Sequence, residues 1–354
     1  MISIEELLNV AAEHSASDVH ITVGVPPKMR VNGDLLDMDY PRLMPDDAEN
    51  IIMSILDKRH KAIFDEKGEV DFSISIPMVG RYRVNIFRQR GSMAAALRVV
   101  GTEIPNPDKL GVPKAVQDLH KRKRGLVLVT GPTGSGKSTT LASIIDLVNT
   151  NTSSHIITLE DPIEYMHKHK KAMVNQREIG LDSMSYNNAL RAALREDPDV
   201  ILVGEMRDFE TISIAVTAAE TGHLVFSTLH TIGAAATIDR IIDVFPTHQQ
   251  QQIRVQLSMV LEAVISQQLI PTADHKRRVA AFEVMITNPA IKNLIREGKT
   301  YQIQSMIQTN KKLGMQTMDD ALYDLYRRGE ITGERCAAYA QDIVAMDKRL
   351  RGII

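Results

Sequence analysis

The feature that most constrains the fold is a glycine-rich octapeptide, Gly131-Pro-Thr-Gly-Ser-Gly-Lys-Ser138, which fits G-x-x-x-x-G-K-[ST] at every fixed position. It follows an apolar run at 126–130 and precedes a helical pattern at 139–148. A strand, a glycine-rich loop and a helix in this order form a phosphate-binding loop, whose backbone N–H groups surround the phosphates. The pattern predicts a nucleotide site on one continuous segment, made of Gly131, Pro132, Thr133, Gly134, Ser135, Gly136, Lys137, Ser138 and Thr139.

The polar residues of this loop indicate the ligand. In a loop of this kind Lys137 contacts the β and γ phosphates and the Ser138 hydroxyl binds Mg²⁺. The guanine-reading pattern Asn-Lys-x-Asp is absent, because the segment 310–313 lacks the aspartate, and so is the Leu-Ser-Gly-Gly-Gln pattern of transport ATPases. We therefore expect ATP and Mg²⁺ as the cofactors.

Around the loop, the chain alternates apolar strands with helical patterns. Apolar strands separated by helices predict a mostly parallel sheet that is covered on both faces. We therefore expect an α/β domain over 114–354, with a helical bundle from about residue 290 onward. The predicted strands of this domain are 126–130, 155–159, 200–203, 224–228 and 279–285.

The first hundred residues have a different pattern and predict a smaller α+β domain over 1–100. Strands with strict alternation and short connections indicate a largely antiparallel sheet. The Gly- and Pro-rich segment 101–113 predicts a linker and hinge. The predicted elements of the first domain include strands at 18–23, 70–76, 81–87 and 94–100, two short strands around an Asn-Gly-Asp turn within 29–35, and a helix at 45–64.

Charge and composition limit the possible partners. The 354 residues contain 42 Lys and Arg against 44 Asp and Glu, and they include no Trp. A near-neutral chain with few aromatic residues lacks the field and the stacking surfaces that nucleic acids favour, so we expect no nucleic-acid partner. One cysteine, Cys336, excludes a multi-cysteine zinc site. The acidic start and the absence of an 18-residue apolar stretch predict a cytoplasmic protein without membrane insertion.

Three polar clusters follow apolar strands, at 157–165, 197–205 and 222–230. Ligands of open parallel sheets bind at the carboxyl ends of strands, so these clusters are candidates for catalysis. Glu205 follows a strand through Gly204, where an aspartate often stands, and is a candidate to polarise the attacking water. Asp161 or Glu164 is a candidate to act on Mg²⁺ or its waters, with a cap or surface role as the alternative.

The histidines allow two interpretations each. His223 and His230 bracket one strand, and each is either a hydrogen-bonded structural residue or a sensor of the γ-phosphate. His167 and His169 have the spacing of metal ligands, but the three lysines beside them favour a solvated face.

Together these segments resemble the secretion ATPase superfamily, and within it the branch that retracts type IV pili. The resemblance spans nearly the whole chain, and one cysteine with a short N-terminal region favours the retraction branch over the extension branch. It rests on residues 16–20, 24–27 and 81–91, and on the ordered Walker A, Asp box (160–164), Walker B (197–208) and His box (221–230).

The resemblance implies a hexameric RecA-like ATPase with a PAS-like N-terminal domain. It also implies the roles of the site residues. Glu205 is the catalytic glutamate, Glu164 an acid near Mg²⁺, and His230 a sensor beside the γ-phosphate. Arg83 and Arg98, on strands of the N-terminal domain, complete the site of a neighbouring subunit.

The implied function is a homo-hexameric motor that powers pilus retraction and twitching motility. It acts through a platform protein of the inner membrane, and indirectly on the pilin fibre, and is bound to the membrane only through this machinery. The alternatives are a pilus-extension or type II secretion ATPase, or a nucleic-acid translocase. The retraction motif Ala-Ile-Arg-Asn-Leu-Ile-Arg-Glu is present at 290–297, with Lys292 in place of the first Arg.

Overall fold

The computed structural model describes residues 2–353 except 32, 78 and 102. Asn32 of the predicted turn and Thr102 of the predicted linker therefore lie outside the described residues. Contacts divide the chain into two compact units. The first runs up to Glu103 and includes Pro162–Met166, and the second contains Ile104–Asp161 and the chain from His167 onward.

The first unit is built on an antiparallel sheet. Its elements are α1 (Ile4–Glu13), β1 (Asp18–Ile21), β2 (Lys28–Val31), β3 (Asp34–Asp37), α2 (Pro45–Met53), α3 (Lys58–Lys67), β4 (Glu69–Ile76), β5 (Gly80–Gln89) and β6 (Ser92–Val100). The described strands pair in the order β3-β2-β1-β6-β5-β4. Leu7 of α1 and Ile52 of α2 pack in one core with Val84 and Leu97 of the sheet.

The continuous helix predicted over 45–64 is wrong, because two helices occupy this segment. The first ends at Met53, and the second begins at Lys58. The Asp57 side chain accepts the His60 N–H at 2.8 Å and so caps the start of α3. A side-chain acceptor at this position satisfies a backbone donor and favours a new helix start.

The second unit alternates strands and helices as predicted, with short 3₁₀ helices at Asp118–Lys121, Thr300–Gln302 and Lys311–Leu313. Its elements are α4 (Lys114–Gln117), β7 (Gly125–Thr130), α5 (Lys137–Asn151), β8 (His155–Glu160), β9 (Met173–Glu178), α6 (Tyr186–Ala193), β10 (Val200–Val203), α7 (Phe209–Glu220), β11 (Leu224–Leu229), α8 (Ala234–Asp243), α9 (Thr247–Val260), β12 (Leu261–Pro271), β13 (Arg278–Ile286), α10 (Pro289–Arg296), α11 (Ile303–Thr309), α12 (Met318–Arg327), α13 (Gly333–Tyr339) and α14 (Ile343–Leu350).

The sheet of the second unit has the order β13-β12-β7-β11-β10-β8-β9 across its described strands. Neighbours are parallel except β12 and β13, which are antiparallel. The α/β class with a mostly parallel sheet is confirmed. Sequence reasoning missed β9 and β12. Four of the six residues of β9 are polar. Strand β12 starts at Leu261 directly after α9 ends at Val260, with no turn residues to mark the boundary.

Both faces of this sheet are covered, as expected for strands that are apolar throughout. In β7, Leu126 and Leu128 pack into the core that contains α6 to α9. The alternate residues Val127 and Val129 pack into a second core with α5 on the other face. The carboxyl ends of β7, β11 and β10 thereby lie side by side at one edge. No helix among the described residues is both long and apolar enough to span a membrane.

Candidate active site

The loop after β7 has the geometry that the octapeptide predicts. Gly131 has φ +142°, and a Cβ there would lie 2.2 Å from the Gln267 carbonyl oxygen on β12, so only glycine fits. The buried Lys137 Nζ donates to the carbonyl oxygens of Gly131 (2.9 Å) and Pro132 (3.1 Å). Since α5 starts at Lys137, the loop presents a helix N-terminus beside a cation, which is the arrangement that binds phosphate.

Gln267 supports this loop from the neighbouring strand and was not predicted from the sequence. Its side chain is buried, and its Oε1 accepts a hydrogen bond from Thr140 Oγ1 at 2.8 Å. A Cβ on Gly136 would come within 2.9 Å of its Nε2. Gln267 therefore fixes the loop and the first turn of α5. No local sequence signal points to it, because only the pairing of β12 with β7 brings it under the loop.

Glu205 and His230 meet at this edge of the sheet. Glu205 Oε1 lies 2.8 Å from His230 Nε2, and its Oε2 lies 2.7 Å from Nη2 of Arg207. Arg207 was not predicted from the sequence as a site residue. Burial of Glu205 opposes its ionisation, but Arg207 and His230 outweigh burial and lower the pKa of this carboxyl. The site thus holds an ionised carboxylate between two nitrogen groups.

Strand pairing explains why these two residues meet. The parallel register aligns Val203 of β10 with Ser227 of β11, so the residues just after each strand are neighbours. The Thr228 hydroxyl donates to the Gly204 carbonyl at 2.6 Å, and the Met206 N–H donates to the Thr228 carbonyl at 3.2 Å. These bonds fix the loop of Glu205 against the end of β11.

Gly204 has no space for the aspartate that often stands at its position. A Cβ there would lie 2.8 Å from the Tyr186 hydroxyl oxygen and 3.1 Å from the Leu159 carbonyl oxygen. Burial raises the pKa of the Tyr186 phenol, and the nearby acids Asp161, Glu160 and Glu205 raise it further. The neutral phenol of Tyr186 therefore occupies the space beside Gly204 at the end of β10. The sequence did not predict this position of Tyr186.

A cleft of about 610 Å³ joins these groups to the phosphate loop. Thr133 of the loop lines it together with Glu205, Arg207, His230 and Arg240. Its volume is in the range of small-molecule and cofactor sites. The cleft therefore places the carboxylate and the histidine opposite the loop that binds phosphate.

The residues of the second unit fit a magnesium ion that arrives with a nucleotide. Mg²⁺ keeps several waters and takes few protein ligands besides the phosphates. The Ser138 side chain is half-buried in the first turn of α5, and the described residues contain no group of three or more His, Cys, Asp or Glu arranged to hold a metal. The exposed Glu164 lies in the segment Pro162–Met166 of the first unit, and its metal role stays a prediction.

Arg83 and Arg98 lie on the sheet of the first unit, on β5 and β6. Both side chains are largely exposed. Arg98 Nε contacts Asp18 Oδ1 at 2.8 Å, and Arg83 Nε lies 4.0 Å from Asp71 Oδ1. Burial opposes ionisation of Asp18, but the bonds from Arg98 and Ser17 outweigh it and lower its pKa. Their role toward a neighbouring subunit stays a prediction.

The remaining candidate histidines have local roles. His223 Nδ1 lies 2.9 Å from the Ala218 carbonyl oxygen, and its backbone N–H donates to the same oxygen, so it closes the turn after α7. His169 Nδ1 accepts the Val174 N–H at 3.0 Å. The solvated face predicted for His167 is wrong, because its Nδ1 is buried without a hydrogen-bond partner among the described residues. Burial lowers the pKa of His167 to about 4.

Comparison with known proteins adds the family. Residues 2–332 match the family model described as type II/IV secretion system protein. The chain is 48% identical over 340 residues to the type IV pilus retraction ATPase PilT of Pseudomonas aeruginosa, covering 96% of this chain and 98% of that protein. It is also similar to the crystal structure of the pilus retraction motor PilT with bound ADP, with a TM-score of 0.91, 52% identity and coverage of 98% and 100%.

A second group of relatives matches less of its own length. The type II secretion system protein HxcR of Pseudomonas aeruginosa is 38% identical over 257 residues, which are 68% of this chain and 52% of that protein. The similarity to PilT thus covers nearly the full length of this chain and of PilT, whereas the similarity to HxcR covers about half of HxcR.

Proposed function

We propose that this chain, which belongs to the family of type II/IV secretion system proteins, is a cytoplasmic motor that hydrolyses ATP to retract type IV pili. The near-complete match to PilT supports retraction over secretion, because the match to HxcR leaves out about half of that protein. The motor is a homo-hexamer that acts on a platform protein of the inner membrane and, through it, on the pilin fibre and twitching motility.

One observation carries the proposal of hydrolysis: Thr133, Glu205 and His230 line the same cleft. This places a carboxylate with a lowered pKa opposite a loop built for phosphate. Phosphoryl transfer depends on positioning and on stabilisation of charge, and this arrangement provides both.

Binding is the task of the loop and of α5. The N–H groups of the loop and Lys137 hold the β and γ phosphates. Ser138 would hold Mg²⁺, which would supply positive charge to the phosphates. Gln267 keeps the loop in shape through its bond with Thr140. Glu164 is proposed to act on the waters of the metal.

Hydrolysis is the task of Glu205. As an ionised carboxylate it orients and polarises the water that attacks the γ-phosphate. His230 Nε2 lies 2.8 Å from Glu205 Oε1. Through this contact we propose that His230 senses whether the γ-phosphate is present. Arg83 and Arg98 of a neighbouring subunit supply positive charge in the transition state, as arginine fingers do.

Movement follows from the difference between ATP and ADP. An ATP held by one subunit attracts the arginines of the next, and loss of the γ-phosphate removes that attraction. Differential contacts of this kind bias a two-state hinge, for which we propose the segment 101–113. Repetition around the ring turns the platform protein, so that pilin subunits leave the fibre.

A phosphate-release assay with nucleotide-binding measurements tests the enzyme activity. Lys137→Ala is expected to lose ATP affinity and turnover together. Glu205→Ala is expected to keep ATP affinity within about three-fold while turnover falls by about 100-fold or more, because chemistry is lost and binding is retained. Glu210→Ala removes an exposed carboxylate paired with Arg191 and is the matched control with unchanged rate. Wild-type turnover by Glu205→Ala excludes this mechanism.

Deletion of the gene with electron microscopy of cell-surface fibres tests the direction of work. An excess of fibres is expected from a retraction motor. Bald cells indicate an extension motor and contradict the proposal. Strong stimulation of the ATPase rate by added DNA indicates a nucleic-acid translocase instead.

A further inference from the structure

Glu283 is a fully buried carboxylate outside the cleft, on β13. Its Oε1 accepts the Ala234 N–H at 2.8 Å, and its Oε2 accepts a hydrogen bond from Gln341 Nε2 at 3.2 Å. Each carboxyl oxygen of Glu283 thus accepts one hydrogen bond, and the two donors come from segments far apart in the chain.

The first of these donors belongs to the loop that follows His230. Ala234 is the first residue of α8, and Gly233 before it donates its N–H to Ser266 Oγ at 2.9 Å. The Thr231 and Thr237 hydroxyls lie 2.7 Å apart. The loop between His230 and α8 is therefore anchored at its far end by Glu283 and Ser266, both on strands of the sheet.

The second donor belongs to the C-terminal helical region. Gln341 lies between α13 and α14, and Gln304 of α11 contacts it. Gln304 Nε2 donates to Gln341 Oε1 at 3.2 Å. Asp319 of α12 accepts the N–H groups of Gln341 (2.7 Å) and of the next residue (3.1 Å). A continuous network thus runs from the helical bundle to Glu283.

We infer that Glu283 is a positioning residue that joins the loop after His230 to the C-terminal helices, so that the two respond to nucleotide as one body. The inference rests on the proposed function, which places His230 beside the γ-phosphate. A buried polar group is tolerated where hydrogen bonds satisfy it. One of the two donors is the N-terminal N–H group of α8.

Burial raises the pKa of the Glu283 carboxyl, and the hydrogen bonds from Ala234 and Gln341 act against burial. Loss of a donor leaves a buried carboxyl oxygen without its partner, which is costly. For this reason a change at Gln341 on the far side of the network is expected to loosen the loop at Ala234, although the two residues lie more than a hundred positions apart in the chain.

Hydrogen exchange on the full-length protein tests the inference with three variants. Glu283→Gln replaces one acceptor oxygen with an NH₂ group, which then faces another hydrogen-bond donor. Gln341→Ala removes one donor from the network. Thr317→Ala is the matched control. Thr317 caps α12 by accepting the Asp320 N–H, so its loss weakens the start of this helix without touching the loop.

Amide exchange at 231–238 is expected to rise about ten-fold in Glu283→Gln, less in Gln341→Ala, and less than two-fold in Thr317→Ala. ADP is expected to slow exchange at both 231–238 and 333–350 in the unchanged protein, and only at 231–238 in Glu283→Gln. Turnover is expected to fall about ten-fold in Glu283→Gln with ATP affinity nearly unchanged, and to stay normal in Thr317→Ala.

Equal effects of Glu283→Gln and Thr317→Ala overturn the inference, because they would indicate a general loss of stability. Wild-type amide exchange at 231–238 in Gln341→Ala overturns the inference as well. Because Gln341 is exposed, this variant decides the question if Glu283→Gln does not fold. Failure of the proposed function can be told apart from failure of this inference. If the proposed function is wrong, the wild-type protein releases no phosphate from ATP. The exchange measurement needs no turnover and tests Glu283 in either case.

Discussion

Arg83 and Arg98 occupy directly opposed positions on β5 and β6, so their guanidinium groups extend from the same face of the sheet. Like charges placed directly opposite repel each other. Asp18 offsets this repulsion from one side, because it lies opposite Arg98 on β1 and contacts its Nε. A polyanion that binds both arginines at once would reduce this repulsion further, which is why we propose the pair as the contact to the nucleotide of a neighbouring subunit.

The arginine pair is expected to act across subunits. Arg83→Ala and Arg98→Ala should each lower turnover by about ten-fold or more with little change in ATP affinity, because the proposed role of these arginines is to stabilise the transition state. Mixing either variant with Lys137→Ala protein should restore part of the activity, because mixed rings contain some intact sites. Arg59→Ala, an exposed arginine on α3, is the control. Phosphate release from mixtures that never exceeds the sum of the separate proteins contradicts a shared site.

The pH dependence of turnover is expected to report Glu205. Burial acts to raise the pKa of its carboxyl, but Arg207 and His230 lower the pKa below its ordinary value, so the rate should fall only in acidic solution. Arg207→Ala removes one of these partners and should move the acidic limb of kcat to higher pH. The shift should be modest, because Arg207 is 78% exposed and water screens the pair. Arg191→Ala, which contacts Glu210 instead, should leave the limb in place. An acidic limb that moves to lower pH in Arg207→Ala contradicts this account.

Gly204→Ala is expected to destabilise the protein by about 1–3 kcal/mol, because the added methyl group overpacks the site against Tyr186 and Leu159. The loss should be smaller in a Tyr186→Phe background, which removes the hydroxyl at 2.8 Å. Urea unfolding of the two single variants and the double variant measures the coupling. Gly333→Ala is the control, since a Cβ there meets no atom closer than 3.4 Å. Equal losses in both backgrounds would show that the hydroxyl does not limit this position.

Lys292 is expected to stabilise the end of α9. Its Nζ donates to the Met259 carbonyl at 3.4 Å, and a cation at a helix C-terminus interacts favourably with the helix dipole. Lys292→Ala should lower the free energy of unfolding by about 0.3–1 kcal/mol. Lys292→Arg, which restores the residue of the retraction motif, should preserve stability because it keeps the charge. Lys312→Ala removes another exposed lysine as a control. Stability unchanged in Lys292→Ala argues against this role.

Much of the site was predictable because the contacts that build it are local or follow from strand order. The phosphate loop lies within one continuous segment, so its pattern predicts its geometry directly. Glu205 and His230 come just after strands, and the rule that ligands bind at the carboxyl ends of parallel strands brought them into one site. Arg207 could also have been predicted from the sequence, because it follows Glu205 by two residues in the same loop.

The sequence by itself determined the strand, loop and helix that bind phosphate, the α/β class, and the residues that end the central strands, because periodicity and glycine placement act over a few neighbouring residues. Only the tertiary structure decided that Gln267 supports the phosphate loop, that Tyr186 fills the space beside Gly204, and that Glu283 accepts hydrogen bonds from both Ala234 and Gln341. These contacts join segments far apart in the chain, and the order and register of the sheet that create them depend on packing over the whole unit.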